Sequence, residues 1–439
     1  MLAARASAAR AASRIARNFA TVVDSAGVKV AAADNGEATS AVTFIVKAGS
    51  RFESKPGVAH ALKNYAFKST EKRSALGTVR EAELYGGVLS SSLSREHLAV
   101  SAEFLRGDEA FFVDVLSSYL TSTKFTRYEL SELVGPTCEA ETTAAFSNPA
   151  TRALELAHAI AFRNGLGNSI FATPGHHLSA ADVEAYAHSV FGSGNVAVVG
   201  TGIDPAALEK LLEKSLGKFA AAVSPSSSPS KYFGGETRLD AHGAAETVFI
   251  GFGTTGAPSA ELAVLAAHLD TTPSVKWSKS TSPIAASIPE GASVQVVHLP
   301  YSDASLFGLL VQGQTTAAVK EAGKAAVAAL KEAGNLKGED LQKAIAKAKF
   351  SAASALDGRD GVISALGAKI LSGSPASLSD TISSLEKVDT AAFEKVNCAL
   401  LPRCPDVTHH VPHAGYRVAA QGEAHLRCCR RHHLPPLRG

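Results

Sequence analysis

The chain has 439 residues, of which 46% are hydrophobic and 19% charged, with 43 Lys and Arg against 41 Asp and Glu. This is globular composition, too long for one ordinary core at about 150 residues per domain and well away from the low-hydrophobicity signature of disorder. A net charge of +2 supplies no global field to attract nucleic acid or anionic lipid, and the longer apolar runs, such as Val196–Val199 and Ala325–Leu330, fall far short of the roughly 20 residues that cross a bilayer.

The first nineteen residues carry Arg5, Arg10, Arg14 and Arg17, several Ala and Ser, and no carboxylate before Asp24. Three of the arginines recur at helical spacing. This is the pattern of a mitochondrial transit peptide over residues 1–19, with Arg17-Asn18-Phe19 as the cleavage signal and Ala20 as the expected mature start. Any membrane association of the mature chain is expected to be peripheral.

Beyond the leader the chain reads as two similar halves, residues 20–223 and 231–396, joined by a Ser/Pro linker at 224–230 that buries little and is stiffened by proline. In the first half, Ala41–Lys47 is a buried strand, followed by a turn at Ala48-Gly49-Ser50 and a helix over Gly57–Lys68. Glu246–Gly251 opens the second half in the same order and leads through Thr254-Thr255-Gly256 to a helix over Ser259–Leu269. A strand at Glu96–Leu105 with a helix at Asp108–Leu120 is matched by a strand at Ser305–Gln312 with a helix at Thr316–Ala333. Each half then carries a long Ala-rich helical region, Leu130–Ala161 and Gly338–Leu371. Internal duplication of an α+β domain, helices laid on a mainly antiparallel sheet, follows.

The first helix of the first half carries His60, Lys63 and Asn64. Two imidazoles four residues apart, with a Glu between them, make a zinc site with a general base on one helix face. The run His60-Ala61-Leu62-Lys63-Asn64, with Ala66-Phe67-Lys68-Ser69-Thr70 after it and Ser94-Arg95-Glu96 further on, resembles the pitrilysin-type metallopeptidases, whose motif is His-x-x-Glu-His. In this chain His60 alone survives. Lys63 stands where the general base belongs, and an ammonium repels a dication; Asn64 offers an amide in place of the second imidazole. The resemblance puts the third ligand at Glu139 or Glu141, and it implies two homologous peptidase-like domains with no catalytic residue and no metal.

Further motifs narrow the resemblance to the non-catalytic core proteins of mitochondrial ubiquinol–cytochrome c oxidoreductase, respiratory complex III, and to the fungal core protein 2 group in particular. They are Tyr128–Val134, Asn148-Pro149, His158-Ala159, Phe162–Ser169, Tyr301-Ser302-Asp303 and Leu306-Phe307-Gly308. Such proteins are structural subunits on the matrix face of the inner membrane. The partners implied are core protein 1, cytochrome b and other complex III subunits, with no cofactor and no nucleic acid. The non-catalytic, presequence-binding subunit of the mitochondrial processing peptidase is the alternative. It relies on a glycine-rich loop, whose counterpart here, Leu269–Ile288, contains no Gly.

Two features stand apart. Gly251-x-Gly253-x-x-Gly256 matches the dinucleotide fingerprint, but Val275–Ser280 offers no acidic residue for a ribose, so the match carries no cofactor. From Asn397 the composition changes: Cys398, Cys404, Cys428 and Cys429 and six histidines fall in residues 397–439, without a Lys. The spacing makes no tetrahedral metal site. Duplication calls for a closing strand after a helix at Ala391–Leu401, and Pro402 and Pro405 are incompatible with a central strand. A reading-frame shift near Asn397, leaving the last segment non-native, is the expectation.

Overall fold

The computed structural model describes residues 22–25, 27–34, 36–173, 177–217, 219, 228–240, 245–273, 280, 282–333, 336, 338–356, 361, 378–390, 393 and 415–420. The expected leader and cleavage signal, most of the Ser/Pro linker, Trp277, Ala391–Leu401 apart from Phe393, and most of the tail lie outside those residues.

Strands β1 (Val22–Ser25), β2 (Val28–Ala33), β3 (Thr39–Val46), β4 (Val88–Leu93), β5 (Leu98–Leu105) and β6 (Val196–Thr201) form one sheet in the order β1-β2-β6-β3-β5-β4. All neighbours are antiparallel except β2 and β6. β3 is central and buried from Ser40 to Val46, which is why it reads as an unbroken apolar run and not as an alternation. Helices α1 (Val58–Asn64), α2 (Ala75–Leu84) and α3 (Glu109–Ser122) follow the strands. The helical region from residue 127 breaks at Asn148, whose extended backbone and side chain cap the next helix; α4 (Gly135–Ser147) and α5 (Pro149–Phe162) are therefore separate. Next come α6 (Ala180–Val190) and α7 (Pro205–Leu216). α1 is shorter than expected, because Phe67 adopts a positive φ of 63° that no helix continues through. Phe44, Leu62, Phe112, Leu116 and Val198 meet in the first core.

The second sheet runs β7-β11-β8-β10-β9, from β7 (Gly235–Asp240), β8 (Glu246–Thr255), β9 (Ala292–Pro300), β10 (Ala304–Gly313) and β11 (Gly415–Ala420). Helices α8 (Ala260–Leu269), α9 (Pro283–Ser287), α10 (Thr316–Glu332), α11 (Glu339–Ser354) and α12 (Leu378–Glu386) accompany it, and Phe252, Leu265, Leu309 and Leu330 share its main core. The fold is thus α+β in both halves. Among the described residues no helix is long and apolar enough to cross a membrane.

A third core joins the halves. Ala153, Ala157, Ala161 and Phe162 of α5 pack with Tyr232, Phe249, Leu306 and Leu310, so a helix of the first half lies on the second sheet. Gly251 and Gly253 serve this packing. A Cβ on Gly253 would lie 2.1 Å from the Tyr232 ring, and one on Gly251 2.4 Å from the Phe249 ring. Gly251 and Gly253 sit inside a strand that continues to Thr255, where a nucleotide site needs a turn into a helix.

The closing position of the second sheet departs from expectation. An empty slot was implied by Pro402 and Pro405, but Gly415–Ala420, beyond both prolines, lie between β7 and β8. A gap between two strands presents unpaired N–H and C=O groups from both sides, and an extended segment that reaches it satisfies them.

Candidate functional site: a closed metal position and an interdomain clamp

Residues 60, 63 and 64 share one face of α1 at i, i+3 and i+4 spacing, and that face meets Cys138 and Glu141 of α4. His60 Nε2 is 2.6 Å from Glu141 Oε2. Lys63 Nζ donates to both carboxylate oxygens of Glu141 at 2.7 Å. Asn64 Nδ2 donates to Glu141 Oε2 at 3.0 Å and lies 3.2 Å from the Cys138 sulfur. The structure therefore selects Glu141 over the exposed Glu139 as the acidic member. Cys138 was not singled out in the sequence; its i−3 relation to Glu141 is the signal that could have found it.

Both nitrogens of His60 are committed. The backbone N–H of Ala172 donates to Nδ1 at 3.1 Å, so Nδ1 holds a lone pair and Nε2 carries the proton donated to Glu141. Burial, which disfavours the imidazolium, leaves the His60 pKa below its usual value in spite of the neighbouring carboxylate, and the ring is neutral at pH 7. Partial burial works to raise the Glu141 carboxyl, but the donors Asn64, Lys63 and His60 outweigh it and hold the pKa down to about 2. Lys63 supplies in one ammonium the positive charge that a metal would bring. Glu141 is a weak base at that pKa, and the lone pair of His60, on Nδ1, is engaged by Ala172. Among the described residues no group of three or more His, Cys, Asp or Glu is placed to hold a metal ion.

A second polar cluster lies between the halves. Arg51, only 7% exposed, donates to Glu96 at 2.7 Å, to Ser302 Oγ at 3.0 Å, and in a two-pronged pair to Asp303 at 2.7 and 2.6 Å. Ser302 Oγ donates to Glu96 at 2.6 Å. Ser230, the last residue of the linker, donates its N–H and its hydroxyl to Asp303 at 2.9 and 3.0 Å. Arg95 donates to Glu155 at 2.5 Å, to the Leu166 carbonyl at 3.1 Å and to the Asn168 carbonyl. His158 Nδ1 lies 2.7 Å from the Leu154 carbonyl, which can only accept, so Nε2 accepts the Tyr301 hydroxyl at 2.7 Å. Burial, reinforced by the Arg95 charge, pushes the His158 pKa down to about 3.

Sequence motifs that looked like isolated landmarks thus converge. Arg95-Glu96, His158, Phe162–Asn168 and Tyr301-Ser302-Asp303 are one interdomain contact. Arg51, Glu155 and Ser230 were not singled out, since nothing local marks a charged residue as buried. Ser94 does not join the clamp; it closes a turn with His97.

Comparison with known proteins accords with this geometry. Residues 29–174 match the family described as Insulinase (Peptidase family M16), and residues 177–349 match Peptidase M16 inactive domain. A protein of Cryptococcus neoformans var. grubii named cytochrome b-c1 complex subunit 2, mitochondrial, is 44% identical over 401 residues, covering 89% of this chain and 92% of its own length. Proteins of the same name from Yarrowia lipolytica and Homo sapiens are 37% and 30% identical, covering 82% and 74% of this chain and 86% and 74% of their own. On these matches the chain belongs to the M16 peptidase family and is similar within it to the cytochrome b-c1 complex subunit 2 proteins.

Proposed function

We propose that the chain is a non-catalytic core subunit of the mitochondrial ubiquinol–cytochrome c oxidoreductase, of the core protein 2 kind. It acts by assembly, as a peripheral subunit on the matrix side of the inner membrane, against core protein 1 and cytochrome b. The observation that carries the reading is the Lys63–Glu141 pair at 2.7 Å, which neutralises the one carboxylate that could complete a metal site. With its pKa held down to about 2, Glu141 is too weak a base to activate a water. The peptidase scaffold is retained as a rigid, clamped pair of domains, residues 20–223 and 231–396, with residues 1–19 removed on import.

Native gel electrophoresis of gently solubilised mitochondria, probed for this chain and for cytochrome b, tests the proposal. Co-migration at the size of complex III is the expected result, as is loss of assembled complex when the chain is depleted. Migration with a soluble processing-peptidase dimer would replace it with presequence binding.

A further inference from the structure

Gly415–Ala420 fill the slot between β7 and β8 in the wrong direction for a duplicated fold. β6 runs parallel to β2 and antiparallel to β3, whereas β11 runs antiparallel to β7 and parallel to β8. β2 and β7 hold the same place beside the slot, as do β3 and β8. The register is poor as well. β6 pairs with six residues of β3, Ala41–Val46, while β11 reaches three of β8, Val248–Ile250. β6, by contrast, reads Val-Ala-Val-Val-Gly-Thr and is buried from Val196 to Gly200.

Residues 421–433, shifted by one nucleotide, have the composition of such a strand. Cys is encoded only by UGU and UGC, His only by CAU and CAC, Gln by CAA and CAG, and Glu by GAA and GAG. Read one nucleotide forward, Cys428 and Cys429 each become Val or Ala whichever codon is used. His425, His432 and His433 each become Ile or Thr. Gln421 and Glu423, followed by Gly422 and Ala424, each become Lys or Arg, which restores lysine-type charge to a segment that has no Lys. The forward frame therefore runs from a basic stretch into small and β-branched residues, the composition of a buried strand and of β6. The backward frame turns His433, Pro435 and Pro436 into Ser, Pro, Thr or Ala and offers no such strand.

We infer that the cleft between β7 and β8 is the acceptor for a strand parallel to β7 and antiparallel to β8, and that its native occupant is this chain's own segment encoded one nucleotide forward over residues 421–433. Gly415–Ala420 are a substitute occupant. One event accounts for the whole tail. In the first half, residues 191–195 alone separate α6 from β6; after Asn397, the residues Cys398–Ala420 precede the forward-frame strand. An unspliced insertion whose length is not a multiple of three produces both the surplus residues and the change of frame.

Sequencing of the mature transcript together with tryptic peptide mass spectrometry of the native protein tests the coding half. A message that passes from the Asn397 codon into the forward frame, and peptides of that frame, are expected. The peptide Val418–Arg427 from native protein would overturn the inference. For the structural half, full-length chains bearing either tail are unfolded thermally. The forward-frame chain is expected to have the higher midpoint and slowed amide exchange on the β7-facing side of β8; equal midpoints and equal exchange would remove the strand from the slot.

Discussion

Lys63 Nζ lies 2.7 Å from each carboxylate oxygen of Glu141, so an ammonium on α1 neutralises the carboxylate on α4. Lys63 and Asn64, the two positions that differ from the His-x-x-Glu-His motif, both turn their donors on this carboxylate, as does His60.

Reversing those two positions should restore metal binding. The double variant Lys63→Glu, Asn64→His places two imidazoles at i and i+4 on α1 with Glu141 opposite. It is expected to bind one zinc per chain by elemental analysis after dialysis, whereas Lys63→Glu alone binds none and sets two carboxylates against each other. A metal-free double variant would show that α1 and α4 no longer hold the ligand geometry.

Acid stability should report the Glu141 network. The folded pKa of about 2 lies below the ordinary carboxyl value of 4.5, so the network stabilises the fold fully above pH 4.5 and its contribution is lost as pH falls towards 2. Glu141→Gln is expected to flatten the fall in stability across that window, and Lys63→Met to move the Glu141 titration upward by carboxyl-resolved NMR. Unchanged acid unfolding in Glu141→Gln would assign the acid sensitivity to other carboxylates.

His158 gives a second, separate window. Its folded pKa of about 3 lies below the ordinary 6.5 because of burial and Arg95, so stability is complete above pH 6.5 and declines as pH drops towards 3, where the unfolded chain gains a proton that the folded one refuses. Tyr301→Phe removes the donor to Nε2 and leaves a buried acceptor unpaired, at a cost of about 1–3 kcal/mol. Urea unfolding at pH 7.5 should show it, and a loss below about 0.5 kcal/mol would mean that the ring finds another donor.

Arg51 is the keystone of the interdomain contact. Arg51→Met strands Glu96 and Asp303 without their cation, and breaking a buried pair from one side costs about 3–5 kcal/mol. Arg51→Lys should recover only part of this, because an ammonium cannot make the two-pronged contact with Asp303. Denaturant unfolding is expected to change from one transition to two as the halves uncouple. A single transition at the original midpoint would place the coupling in the apolar contact of α5 with the second sheet.

Much of the fold was legible along the chain. β3, β8 and β10 are buried on both faces and so appear as unbroken apolar runs, and α3, α8 and α10 begin within a residue of their expected positions. The break at Asn148 was hidden because Ala-rich residues are helical on both sides of it. His60, Lys63 and Asn64 were identifiable from the resemblance to the His-x-x-Glu-His motif, whose spacing puts them on one helix face. The choice of Glu141 over Glu139 was not, since both are carboxylates on one turn and only the packing of α4 decides which faces α1.

The sequence by itself determined the duplicated α+β pattern and the change of composition after Asn397, because spacing, periodicity and composition are properties of neighbours along the chain. Tertiary structure alone decided that Lys63 neutralises Glu141, that Arg51 joins Glu96 to Asp303 across the halves, and that β11 runs against the direction of β6. Those are contacts between residues far apart in sequence, and their energies depend on burial and orientation, which no local pattern encodes.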